Sequence, residues 1–105
     1  MPKAHDVVLL ASAERDLVDL RGYIRAESGA TAALRFVRQV RRYCRGLATF
    51  PERGARRDDI APGLRVTGFR RRVAIVFTVQ GRTVSIVRGL YRGRDGDALP
   101  AGQRD

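Results

Sequence analysis

The sequence predicts an α+β domain of order β-α-α-β-β-β, an antiparallel sheet with an N-terminal helical hairpin packed on one face. Two consecutive stretches in the first half repeat apolar residues at steps of three and four, the period of a helix buried on one side. Three stretches in the second half are short, β-branched and bounded by turn residues. A charged segment with two prolines and two glycines, residues 51–63, separates the halves and reads as a loop.

Val7 to Leu10 is an apolar run that reads as a buried strand. Ser12 follows as a candidate N-cap, with Glu14 and Asp16 in the first turn, where carboxylates favour the positive end of the helix dipole. Ala13, Leu17, Leu20 and Ile24 form the apolar face of this first helix, and Gly29 is its expected stop. Thr31 is a candidate cap for the second helix. Its apolar stripe is Ala33, Phe36, Val37, Val40, Cys44 and Leu47, and Arg35, Arg38, Arg42 and Arg45 occupy another face. Pro51 forbids its continuation. So few residues separate the two helices that they are expected to pack antiparallel.

Leu64 to Phe69 is the first strand of the second half, and Val73 to Val79 is the clearest. Gln80-Gly81-Arg82 makes a tight turn into a third strand, Thr83 to Tyr91. Three antiparallel strands under two helices is a stable two-layer arrangement. The N-terminal strand joins either the sheet's edge or a central strand. Residues 96–105 read as a flexible C-terminal tail of a single domain spanning 1–105.

The chain of 105 residues carries a formal net charge of +10, and every basic residue except Lys3 is arginine. The excess of base over acid implies an anionic partner: nucleic acid, an acidic protein or a membrane surface. Arginine's planar fork suits carboxylate and phosphate equally, so charge does not choose among them. The expected location is the cytoplasm, with no signal peptide and no membrane partner. A single cysteine, Cys44, excludes an internal disulfide and reads as a small core residue. No metal or other cofactor is expected, because the chain lacks histidine and cysteine pairs and any nucleotide-binding glycine fingerprint.

The arginines near the last three strands are the most informative residues. Arg65, Arg70, Arg71, Arg72, Arg88, Arg92 and Arg94 all fall on or beside them. If the strand is regular, Arg70 and Arg72 share a face and Arg71 points oppositely. Arg88 sits inside an otherwise apolar strand, where a charge is costly unless it reaches a partner or the sheet's rim. One reading is a solvated face with an internal salt bridge; the other is a binding surface. Tyr91, three residues after Arg88, is either an edge aromatic or a general acid or base acting on RNA, with arginines holding the scissile phosphate.

The order and spacing of these features resemble the RelE/ParE superfamily of toxins from about Val7 to Asp95. The resemblance rests on Ala13, Asp16, Leu17 and Ile24 in the opening helix. It continues through Leu47, Phe50-Pro51, Gly54 and the turn Gly63-Leu64-Arg65. It closes on the Val73 to Val79 strand and Val84 to Asp95. It implies the toxin of a type II toxin–antitoxin pair, wrapped by an acidic cognate antitoxin that also carries the pair to promoter DNA. Arg65, Arg70, Arg72, Arg88 and Arg92 are the expected antitoxin-binding residues. The superfamily divides into ParE-like inhibitors of DNA gyrase and RelE-like endoribonucleases acting on mRNA at the ribosome. The absence of lysine from the middle of the chain, the long helical hairpin, Pro51 with Gly54, and the ending around Tyr91 resemble the ParE branch. A non-enzymatic gyrase poison is therefore expected. The alternative is a metal-independent ribonuclease using Arg72, Arg88 and Tyr91, and a third reading is a non-toxic nucleic-acid-binding module.

Overall fold

A computed structural model describes residues 5–91. The expected tail at 96–105 and Arg92 lie outside the described residues. The chain forms β1 (Asp6–Leu9), α1 (Ala11–Ser28), α2 (Ala30–Gly46), β2 (Ala55–Arg56), β3 (Leu64–Phe69), β4 (Val73–Gln80) and β5 (Thr83–Tyr91). The sheet order is β1-β5-β4-β3-β2.

The helical hairpin forms as the periodicity predicts. Ala13, Leu17, Leu20 and Ile24 of α1 and Ala33, Val37, Val40 and Cys44 of α2 are all buried. They pack on Val73, Ile75 and Phe77 of β4 and Val84 and Ile86 of β5. A smaller apolar cluster of Leu64, Val66, Ala74 and Val76 lies on the opposite face of the sheet. The connection between the helices is a single residue. Gly29, at φ 96°, accepts from Ala33 N and donates to Arg25 O, so one glycine both ends α1 and starts α2.

The structure departs from the sequence expectations in four places. The sheet is mixed: β2 to β5 pair antiparallel, but β1 lies parallel to β5 at the edge, Asp6 opposite Thr83 and Leu9 opposite Ile86. There Val7 and Leu9 reach the same core as the helices. Within the 51–63 loop, Ala55 and Arg56 pair with Val66 and Arg65 as a short edge strand. Neither helix is capped by the expected hydroxyl. Leu10 precedes α1, Gly29 precedes α2, and Ser12 and Thr31 lie inside the helices. Finally, Arg70 and Arg71 do not extend a regular strand. They are the central residues of a tight turn closed by Arg72 N donating to Phe69 O, with φ of 54° and 59°. Positive φ at both positions is the type I′ pattern that matches strand twist and normally selects Asn-Gly.

A β-bulge in β5 settles the position of Arg88. Ile86 lies opposite Phe77 and Arg88 opposite Val76, so Val87 is an extra residue. Unbroken alternation would place Arg88 on the core face after Val84 and Ile86. The bulge moves the strand out of step, so that Tyr91 packs on the helical core and Leu90 on the outer cluster.

Phe77 has no exposed surface and lies at the centre of the helix–sheet layer. Phe77→Ala is expected to lower unfolding free energy by about 3–5 kcal/mol, read from urea denaturation.

Candidate functional site

Where β1 ends, the outer edge of β5 would be left with unpaired backbone groups. Leu10 N donates to Ile86 O at 2.9 Å, the last contact of the β1 side. Two side chains of α1 then take over. Ser12 Oγ donates to Val87 O at 2.6 Å, and Gly89 N donates to Asp16 Oδ2 at 2.9 Å. Residues four apart share a helix face, so Ser12 and Asp16 run alongside the strand and serve its edge in turn. Arg88 completes the arrangement, donating from Nε to Asp16 Oδ2 at 2.7 Å and from Nη2 to Oδ1 at 3.0 Å. The Asp16 carboxylate is 13% exposed and the Arg88 side chain 47%. This hydrogen-bonded pairing outweighs the modest desolvation and raises the Arg88 pKa above its ordinary value.

The other predicted site residues fall into two groups. Arg65 is occupied by the loop after α2: its Nη2 donates to Glu52 O at 2.6 Å, and its guanidinium also reaches Arg53 O and Gly54 O. Gly54, at φ 83°, passes so close to β3 that an added Cβ would lie 2.4 Å from Val66 O. Arg65 and Gly54 together draw this loop onto the sheet. At the other end of β3, Arg72 Nη2 donates to the Tyr91 hydroxyl at 2.5 Å, and its guanidinium also lies over the Tyr91 and Phe36 rings. Arg70 lies over Phe69. The structure therefore brings Arg72 and Tyr91 together and holds Arg88 separately on Asp16.

Tyr23 was not among the residues singled out from sequence. Its ring meets Tyr91 at 5.1 Å between centroids, and its hydroxyl donates to Glu27 Oε2 at 3.0 Å. The available signal was its position beside Ile24, at the border of the α1 apolar stripe and four residues before Glu27. A hollow of about 170 Å³ beside the tyrosines is lined by Asp16, Asp19, Leu20, Tyr23, Gly89, Leu90 and Tyr91.

Cys44 is buried in the core as expected, and burial pushes its thiol up to about 11, far from a nucleophilic thiolate at neutral pH. Among the described residues no group of His, Cys, Asp and Glu could hold a metal ion. Among the same residues no helix is long and apolar enough to cross a membrane.

A small α+β domain with a helical hairpin over a mixed five-stranded sheet is a RelE/ParE-like fold. The profile of the ParE toxin of type II toxin–antitoxin systems, parDE, matches residues 7–96, and the chain belongs to that family. Its fold is similar to that of a chain in the chromosomal ParDE system of Pseudomonas aeruginosa, at TM-score 0.72 and 23% identity over 82% of this chain and 94% of that one. It is also similar to a chain of the toxin–antitoxin complex RelBE2 from Mycobacterium tuberculosis, at TM-score 0.65 and 21% identity over 88% and 95%. No curated protein sequence matches it.

Two predictions follow from the pairs around α1. Asp16→Asn keeps the shape but removes the charge facing Arg88 and weakens the acceptor for Gly89 N. It is expected to cost about 1–3 kcal/mol in chemical denaturation and to speed amide exchange at Gly89. Arg41 donates to both oxygens of Glu14, at 3.2 and 2.7 Å, and this bonding lowers the Glu14 pKa below its ordinary 4.5. A depressed carboxylate stabilises the fold above its unfolded pKa and loses that contribution as pH falls through the folded one. Arg41→Gln should therefore flatten the dependence of Tm on pH below about 4.5 and leave its slope near pH 7 unchanged.

Proposed function

We propose that this type II toxin arrests growth as a non-enzymatic inhibitor of DNA gyrase, and that an acidic cognate antitoxin keeps it silent. The observation that carries the non-enzymatic reading is the commitment of the candidate catalytic groups to other partners. Arg88 is bound to Asp16, and the Tyr91 hydroxyl accepts from Arg72 while its ring packs on Tyr23. A general acid or base needs an open path to the ribose or the scissile phosphate. The ParE profile over residues 7–96 favours the gyrase branch.

Both solved relatives come from toxin–antitoxin systems, which supports an antitoxin partner for this chain. Of the proposed antitoxin-binding residues Arg65, Arg70, Arg72, Arg88 and Arg92, Arg65 is engaged with loop carbonyls and Arg88 with Asp16, which favours the hairpin end as the first contact. Arg70 and Arg72 are exposed there beside Arg71. An acidic antitoxin segment would dock at that end and extend toward Arg88. The antitoxin would also carry the pair to promoter DNA.

The ribonuclease reading keeps one specific support: a guanidinium already stands on the Tyr91 hydroxyl, where it would meet a phosphate. The two readings part cleanly in experiment. Purified chain is expected to inhibit gyrase supercoiling and to trap cleaved DNA, with Tyr91→Phe retaining most of the effect. Unchanged gyrase activity, together with mRNA cleavage on translating ribosomes that Tyr91→Phe abolishes, would replace gyrase inhibition with the ribonuclease mechanism.

A further inference from the structure

Aromatic rings and guanidinium groups form a continuous row along one side of the molecule. Arg72 lies over Tyr91 at 5.5 Å and over Phe36 at 5.7 Å. Phe36 meets Phe69 at 5.9 Å, and Phe69 meets Tyr43 at 5.3 Å. Arg53 then lies over Tyr43 at 5.4 Å and over Phe50 at 5.6 Å. The row draws on β5, the turn between β3 and β4, α2, β3 and the loop after α2, so no single element's packing accounts for it. Its rings between Tyr91 and Tyr43 are half-buried, its arginines are exposed, and Phe50 at its end is 60% exposed. The same helix that supplies Phe36 and Tyr43 carries Arg35, Arg38 and Arg42 around a shallow hollow of about 310 Å³.

The Arg70-Arg71 turn adds an independent observation. Two consecutive side-chain-bearing residues adopt the left-handed conformation between Phe69 and Arg72 of this row. Asn-Gly would make the same turn without that strain. The strained choice places exposed cations at the tip, with Arg70 stacked over Phe69. Strain retained at an exposed turn is a reason to look for a ligand there.

We propose that this row, from Tyr91 and Arg72 across Phe69 to Arg53 and Phe50, is a track for single-stranded nucleic acid. Alternating planar rings and cations suit a strand whose bases stack and whose phosphates are anionic. An acidic peptide needs only the cations, whereas a row that alternates rings with cations over its whole length matches a strand with a base and a phosphate at every step. A duplex buries its base faces and has none to offer. The nearby carboxylates bound the track: Glu27 holds Tyr23 at one end, and Glu52 sits within the loop at the other. The track shares Tyr91 and Arg72 with the ribonuclease alternative but extends past them to Arg53 and Phe50.

The test uses the purified full chain with fluorescein-labelled dT20 and rU20, read by anisotropy across a salt series. Both oligonucleotides are expected to bind, with affinity falling as salt rises. Phe50→Ala and Arg53→Ala should each weaken binding about tenfold. Arg21→Ala removes the same charge from α1, outside the row, and should change affinity less than about twofold by the general field alone. Arg70→Asn combined with Arg71→Gly should raise Tm by relieving the turn and still weaken binding, with a salt slope shallower by about 0.7 per lost phosphate contact. A preference for dT20 or rU20 assigns the strand to DNA or RNA. The track is overturned if Arg21→Ala costs as much as Arg53→Ala, because the attraction is then diffuse. It is equally overturned if the relaxed turn binds like the parent.

Discussion

The fold depends on how β5 completes its outer edge. β1 is too short to pair with all of it, and the bulge at Val87 disturbs the strand just where β1 runs out. A bare edge inside a small domain would leave peptide groups unsatisfied next to the core. The first two turns of α1 answer this with Ser12 and Asp16, which replace a missing strand by side chains. Asp16 has the larger share, since its carboxylate serves both the Gly89 peptide and the Arg88 guanidinium. Helix position, bulge and arginine are thus one arrangement: without the bulge Arg88 would point into the core, and without Asp16 it would have no anion.

This arrangement also sorts the arginines that dominate the sequence. Arg88 and Arg41 tie α1 to β5 and to α2. Arg65 gathers the carbonyls of the 52–54 loop, and Arg57 pairs with Asp59. These residues hold the structure together. The exposed arginines of the hairpin tip and of α2 belong to the outward-facing positive charge instead.

Much of the architecture was legible in the sequence because it is written locally. The α1 face of Leu17, Leu20 and Ile24 and the β3 span Leu64–Phe69 follow from period and composition. What escaped is long-range or conformational. Ser12 looks like a cap because nothing local announces Val87 as its acceptor. The two-residue strand at Ala55 carries no apolar pattern, since both its residues are exposed. Arg70-Arg71 looks like strand because arginine has no preference for positive φ. At the site, the cost of a charge at Arg88 and its relief by an internal salt bridge were readable, but neither the partner Asp16 nor the bulge was. A bulge leaves alternation intact in the sequence and breaks it only in space. The pairing of Arg72 with Tyr91 needed the hairpin and the end of β5 to be neighbours, which only the sheet order supplies.

The parallel pairing of β1 with β5 joins the two ends of the described chain, with Asp6 beside Thr83. Such a contact has the highest loop-closure cost in the molecule and forms only when its second strand exists. Among the described elements β5 is the last in chain order. The helical hairpin rests on local contacts, but the sheet edge and the Asp16–Arg88 linkage close only once β5 is present. The finished surface around Arg88 therefore depends on contacts between the first and the last described strands, and anything that loosens β1 from β5 loosens that surface too.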